Sequence, residues 1–352
     1  MSMYEVLEET ILEQNNKTKE SCDSIVLLVN SIEGAAKKSY DLSLMGESMY
    51  NWVARACPNK PLLVKFSEDD ELLSTIKPLL KDGEYTLVLY SDTPLLTANG
   101  VNQILEFVKD KNLSVCKLNR GWLFKTDYIK NADAIYALNT YDVCSHEQFV
   151  VNSVDALIKA TNILQTRINK YHIAQGVNIL SPLCTYIECG VAIEAGATIE
   201  AFAKLEGTTT IGANSKICSF ATITDSKIGE RAIIKSGSVV VRSAILDNAI
   251  VGNNCVITNK SVVGQEVIVS AGSILDAATT MSGDKIGAGC TLINTKVASN
   301  VNIGAKTSCL GTETLDVKIG GGASVGNGCT IFAGVYLKND YSLADGTEAK
   351  KD

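Results

Sequence analysis

Residues 186–223 read YIECGVAIEAGATIEAFAKLEGTTTIGANSKICSFATI. Within this stretch Ile187, Ile193, Ile199, Leu205, Ile211, Ile217 and Ile223 recur every six residues without a slip. A helix repeats its apolar face every 3.6 residues and a half-buried strand every two, so neither gives this period. A six-residue beat suits a prism whose coil has three flat faces. Each face takes one short strand and one turn, and the aliphatic side chain points to the axis. The stretch predicts a left-handed parallel β-helix of hexapeptide repeats.

The pattern extends outward from there. After a one-residue adjustment it resumes at Ile228, Ile234, Val240 and Leu246, then at Val251, Ile257, Val263, Val269 and Leu275. Ile286, Leu292, Val297, Ile303, Ile319, Val325, Ile331 and Leu337 carry it toward the C-terminus. Glycine follows the aliphatic in eight pairs, among them Ile211-Gly212, Ile303-Gly304 and Val325-Gly326, where tight backbone geometry free of a Cβ penalty is expected. Cys255, Cys290 and Cys329 fall four residues after the aliphatic, at positions that Ala, Ser and Thr share, and read as small core filler. Such prisms bury a flat outer face by packing three copies side by side, so a homotrimer is expected.

Upstream, the sequence alternates strand and helix signals. Ser24–Val29, Pro61–Phe66 and Tyr85–Tyr90 read as strands, and Asp70–Lys81 and Asn99–Lys111 as helices, which favours an α/β layer with a mostly parallel sheet. The expected order is an amphipathic N-terminal helix (1–20), an α/β domain (21–160), a linker helix and junction (161–185), the β-helix (186–340) and a flexible polar tail (341–352).

At 352 residues and net charge −7 the chain has no long basic run, and nucleic acid is not an expected partner. The first twenty residues are polar and acidic and no bilayer-length apolar run follows, so neither secretion nor membrane insertion is expected and the cytoplasm is the natural location. The eleven cysteines include no CxxC pair, which argues for reduced thiols rather than a disulfide framework or a zinc site.

Ligands of open α/β sheets bind beyond the carboxyl ends of the strands. Asp92, just past Tyr90, stands where a metal ligand or a phosphate neighbour belongs, or a capped turn before a helix. Residues 30–39 follow the first strand with one glycine, a poor phosphate cradle, although Lys37 and Lys38 could meet an anion.

Several motifs resemble the bacterial bifunctional N-acetylglucosamine-1-phosphate uridyltransferase and glucosamine-1-phosphate N-acetyltransferase family. They are Val151-Asn152-Ser153-Val154-Asp155-Ala156-Leu157, Leu164 to His172, Gly176-Val177, Pro182 and Thr185-Tyr186-Ile187-Glu188, running directly into the prism. Tyr90-Ser91-Asp92-Thr93-Pro94-Leu95 resembles the family's strand end, and Asn119-Arg120-Gly121 its sugar-contacting Asn-x-Gly turn. The resemblance implies that Asp92 and Asn152 hold magnesium between nucleotide and sugar phosphates, and that Asn119 and Gly121 meet the sugar.

The sequence also departs from that family. The glycine-rich loop with its arginine and lysine would fall within residues 29–46, where Ser39-Tyr40-Asp41-Leu42 and Gly46-Glu47-Ser48-Met49 keep the frame without those charges. The uracil-reading Gly-Thr pair is absent from 69–81, and a large piece between Lys111 and Asn119 is missing. Acetyl transfer in the family uses a prism histidine, but His146 and His172 both precede the prism, and His172 matches a packed linker residue. Acetyl-CoA is therefore not an expected cofactor.

The expectation is a shortened UDP-N-acetylglucosamine pyrophosphorylase-like protein that holds a sugar nucleotide or phosphosugar, with turnover weakened or lost. The alternative is a non-catalytic trimeric scaffold or regulatory paralogue.

Overall fold

A computed structural model describes residues 22–32, 37–67, 69–137, 139–141 and 147–351. The expected N-terminal helix and His146 lie outside the described residues. The chain forms two compact units that divide at Leu164 and Gln165.

The first unit is built on a five-stranded sheet in the order Leu62–Lys65, Cys22–Leu28, Tyr85–Tyr90, Gly121–Lys125, Val115–Leu118. Gly121–Lys125 runs antiparallel to both of its neighbours, so the other four strands share one direction. The central strand alternates its side chains between two apolar layers, as the pleat requires. Val26 packs with Leu87, Leu89, Val53, Ile104 and Leu105, beneath the helices Met49–Ala56 and Ala98–Asp110. Ile25 and Leu27 pack on the opposite face with Val88, Phe124, Ile76 and Ile129. Burial on both faces explains why Ser24–Val29 reads as a continuous apolar run. The expected helix at 70–81 is shorter, Leu72–Ile76 followed by a 3-10 turn at Lys77–Leu79, because Pro78 lacks the N–H that would continue it.

In the second unit three parallel sheets of nine, ten and ten strands wind into a β-helix of the hexapeptide type. Ile193 pairs with Ile211 and Ile211 with Ile228, so one coil takes 18 or 17 residues. The inward column is buried throughout, each aliphatic contributing about 1.5–3 kcal/mol relative to an exposed one. Cys255, Cys290 and Cys329 are fully buried, as expected of core filler. The helix Val154–Ala174 leads into the first coil, where buried Asn169 donates to the carbonyls of Pro182 and Thr185.

Three readings of the repeat need correction. At the five-residue step after Val240 the inward residue is Ile245, whereas Leu246 turns outward and is 43% exposed. Thr280 and Cys309 fill inward positions that lack an aliphatic, and residues 311–316 loop out between Cys309 and Ile319. Residues 341–351, expected as a tail, supply the last strands, Ser342–Leu343 and Glu348–Ala349.

Left-handed backbone occurs at the corners, at residues such as Asn214, Asn254 and Asn300, and Asn tolerates it. The glycines after the aliphatics stand where coils approach too closely for a Cβ, as expected: a Cβ on Gly304 would lie 2.5 Å from the carbonyl carbon of Gly326.

Small inward hydroxyls tie successive coils. The Oγ atoms of Ser226, Ser238, Ser261 and Ser273 each accept the N–H of the residue one coil on. Asp284 occupies the same slot, fully buried, with Oδ1 accepting from Val301 N–H at 2.8 Å and Oδ2 from Met281 N–H at 2.9 Å. Burial pushes its carboxyl up from 3.8 to about 6. Because the folded value lies above the unfolded one, ionisation destabilises the fold. Stability from this group is present at low pH and is lost as pH rises through the window from about 4 to about 6. The shift corresponds to about 3 kcal/mol. Asp284→Ser restores the serine pattern; urea melts of this variant should show higher stability at pH 7.5 and a flatter profile between pH 4 and 6 than the parent.

Candidate functional site

Beyond the carboxyl ends of the parallel strands of the first unit lies a cleft of about 520 Å³. Lys38, Tyr40, Lys65, Phe66, Asp70 and Arg120 line it together with the chain just after Leu28. Among the described residues three cations face it against one lining carboxylate, in a chain whose net charge is −7.

A network of short polar residues fixes the floor. Ser39 is fully buried; its Oγ accepts from Ser31 N–H at 2.8 Å and donates to the Val29 carbonyl, while its N–H donates to Asn30 Oδ1. Ser91 Oγ accepts from Val29 N–H, Ser31 Oγ donates to the Val151 carbonyl at 2.7 Å, and Val151 N–H donates to the Asp92 carbonyl at 2.8 Å. Segments distant in sequence are thereby held at one end of the sheet, and Lys38 is set beside an anchored residue.

The carboxylate of Asp92 is completely buried and paired with Arg120, whose Nη2 lies 2.9 Å from Oδ2 and whose Nε lies 3.1 Å from the same oxygen. The guanidinium also lies over the Tyr90 ring, 4.4 Å from its centroid, and Phe66 packs edge-on against Tyr90. Arg120 is 28% exposed at the cleft. Its position follows from Gly121, whose φ of +152° and closeness to the Val88 carbonyl, 2.7 Å from where a Cβ would stand, admit no side chain.

The six residues read from the sequence separate. Lys38 lines the cleft, whereas Lys37 is exposed outside its lining. Asn119 also stands outside that lining: its N–H donates to Gln148 Oε1 and its Nδ2 to the Gln148 carbonyl, so it pins the segment around residue 148. Gly121 is buried at the strand start. Asn152 is exposed, next to the backbone link between Val151 and Asp92.

Magnesium on Asp92 and Asn152 does not fit this arrangement. Magnesium keeps several waters and holds them at strict geometry. Here both Asp92 oxygens lie within hydrogen-bond reach of a guanidinium, away from solvent. Among the described residues no group of three His, Cys, Asp or Glu side chains could hold a metal.

Lys65, Arg120, Tyr40 and Phe66 were not singled out from the sequence. Lys65 and Phe66 carried a usable signal, since they directly end a strand predicted to be parallel. Arg120 is the middle residue of the Asn-Arg-Gly turn, and nothing local marks its reach to Asp92. His172 is buried with no hydrogen-bond partner at Nε2 among the described residues, and burial pushes its imidazole down to about 4, as suits a packed residue.

Residues 187–282 match the family described as GMPPB C-terminal domain. The bifunctional protein GlmU of Streptococcus equi subsp. zooepidemicus is 33% identical over 215 residues, 60% of this chain and 46% of that protein. That of Streptococcus mutans is 31% identical over 259 residues, 71% of this chain and 55% of that protein. The chain is similar to these GlmU proteins. It spans about half the length of these GlmU proteins. Among solved structures, UDP-N-acetylglucosamine acyltransferase from Campylobacter jejuni aligns at 20% identity and a TM-score of 0.35, over 46% of this chain and 66% of that one.

Removing either member of the Asp92–Arg120 pair should have unequal effects. Arg120→Ala takes the paired guanidinium from a buried carboxylate and should cost about 3–5 kcal/mol in urea denaturation. Asp92→Ala leaves a guanidinium that can turn to water and should cost less.

Proposed function

We propose that this GlmU-like chain uses the cleft of its first unit to hold a phosphosugar or sugar nucleotide without turning it over. The observation that carries the reading is the convergence of Lys38, Lys65 and Arg120 on one cleft at the carboxyl ends of parallel strands. Phosphate oxygens pair well with such donors, Arg above all. Tyr40 and Phe66 give the same cleft two aromatic walls suited to a sugar or base. Uridylyl transfer calls for neutralisation of a triphosphate, and the cations present fall short of that demand. Acetyl transfer calls for a positioned base, and both histidines of the chain precede the β-helix in sequence.

The same reading places the protein in the cytoplasm. No helix among the described residues is long and apolar enough to cross a membrane, and the ten described cysteines form no disulfide with one another. Calorimetric titration of the full chain with UDP-N-acetylglucosamine should give saturable binding, and a pyrophosphate-release assay with UTP and the sugar 1-phosphate should stay at background. Sustained pyrophosphate release would replace this reading with an active uridyltransferase.

A second reading, assembly of three copies through the β-helix, is favoured by its outer faces. Ile233, Ile250 and Ile268 stack in register on one face, and Val239, Val256 and Ile274 on the next, all pointing outward. Ile268 and Ile274 are 40% and 42% exposed in the single chain. Light scattering should return three times the 37.6 kDa chain mass, and Ile250→Lys should shift the species toward monomer; a monomeric parent protein at micromolar concentration contradicts the assembly.

A further inference from the structure

Asp92 and Arg120 raise a question that the cleft alone does not answer, namely which cation meets the phosphate. A divalent ion on Asp92 would have to displace the guanidinium from two oxygens and from the face of Tyr90, and then bring its waters into a spot with no solvent exposure. The guanidinium is held there by charge, by paired donors and by the stacked ring at once. Its remaining exposure is toward the cleft.

We infer that Arg120 takes the place of a metal ion in this cleft, so that a phosphorylated ligand is bound without any divalent cation. The inference rests on the proposed phosphosugar or sugar-nucleotide site and specifies how that site is charged. Asp92 is then a positioning residue: it fixes the guanidinium, and the guanidinium donates to phosphate oxygens.

The charges also set the ligand class. Among the described residues, Lys38, Lys65 and Arg120 against Asp70 and Asp92 leave one net positive charge at the site. That balance suits the one or two negative charges of a phosphomonoester or a diphosphate diester. It does not suit a nucleoside triphosphate, whose further charge a metal would ordinarily offset. A sugar phosphate or a nucleoside-diphosphate sugar is therefore the chemistry the cleft selects.

The test is calorimetric titration of the full chain with UDP-N-acetylglucosamine in EDTA and again in millimolar magnesium. The expected result is equal affinity in both, with UTP in EDTA binding at least about tenfold more weakly. Arg120→Ala should weaken binding in EDTA by about 10- to 100-fold, the range for a lost charged hydrogen bond. In this variant magnesium should restore part of the affinity, because the guanidinium no longer competes with the ion for the Asp92 carboxylate. A purely structural role for Arg120 would not produce that gain of metal dependence. The paired change Asp92→Asn with Arg120→Gln keeps the shape and removes both charges; it should bind weakly and ignore magnesium, and it serves if the alanine variant does not fold.

Parent binding that requires magnesium would overturn the role given to Arg120 while leaving the ligand site intact. UTP binding as tightly as the sugar nucleotide in EDTA would overturn the charge matching. Parent-level affinity of Arg120→Ala in EDTA, or of the paired variant where the alanine variant does not fold, would likewise overturn the role of Arg120. Binding in neither buffer would remove the proposed function itself.

Discussion

Backbone hydrogen bonding between coils is the constraint on which the β-helix depends. Each strand has only two or three residues, so no strand could persist alone, and stability comes from stacking one coil on the next. Once the coils are held at strand spacing, the remaining choices are few. The axis admits one aliphatic per face, the slot between strands admits a small side chain, and a close approach such as that of Gly304 to Gly326 admits no Cβ. Ser226, Ser238, Ser261 and Ser273 show the small slot used to tie one coil to the next. Asp284 keeps the same link through a carboxylate and destabilises the fold when it ionises.

That constraint also explains what was legible from the sequence. A period enforced in every coil leaves a long record, so Ile187 to Ile223 disclosed the architecture. Errors arose where the period shifts by one residue, as at Ile245 and Leu246, or where Thr280 and Cys309 replace an aliphatic. Polar residues such as Ser342 and Glu348 concealed the last strands because their alternate neighbours, Leu343 and Ala349, are only two inward groups in a polar context. In the first unit the strands were legible because both faces of the sheet are buried, whereas helix 72–76 ends early at a proline-containing turn.

The candidate site was legible only in part, for a different reason. Asp92 could be placed at a strand end by its distance from Tyr90, and Lys38 by its distance from Leu28. Its partner Arg120 lies 28 residues away from Asp92, on the far side of a strand pairing whose register the sequence does not state. The motif frame around Asn119 and Asn152 survives, yet Asn119 now holds Gln148, and the Asp92 carboxylate now holds a guanidinium. A retained residue type thus does not ensure a retained role, because the surrounding partners decide what its lone pairs meet.

A crystal structure of the full chain soaked with UDP-N-acetylglucosamine in EDTA would bear most directly on the central claim. The expected result is diphosphate oxygens within hydrogen-bond distance of Arg120, Lys38 and Lys65, with the Asp92–Arg120 pair still closed. Ligand density elsewhere on the chain, or ligand seen only when a divalent ion sits on Asp92 with Arg120 swung away, would contradict it.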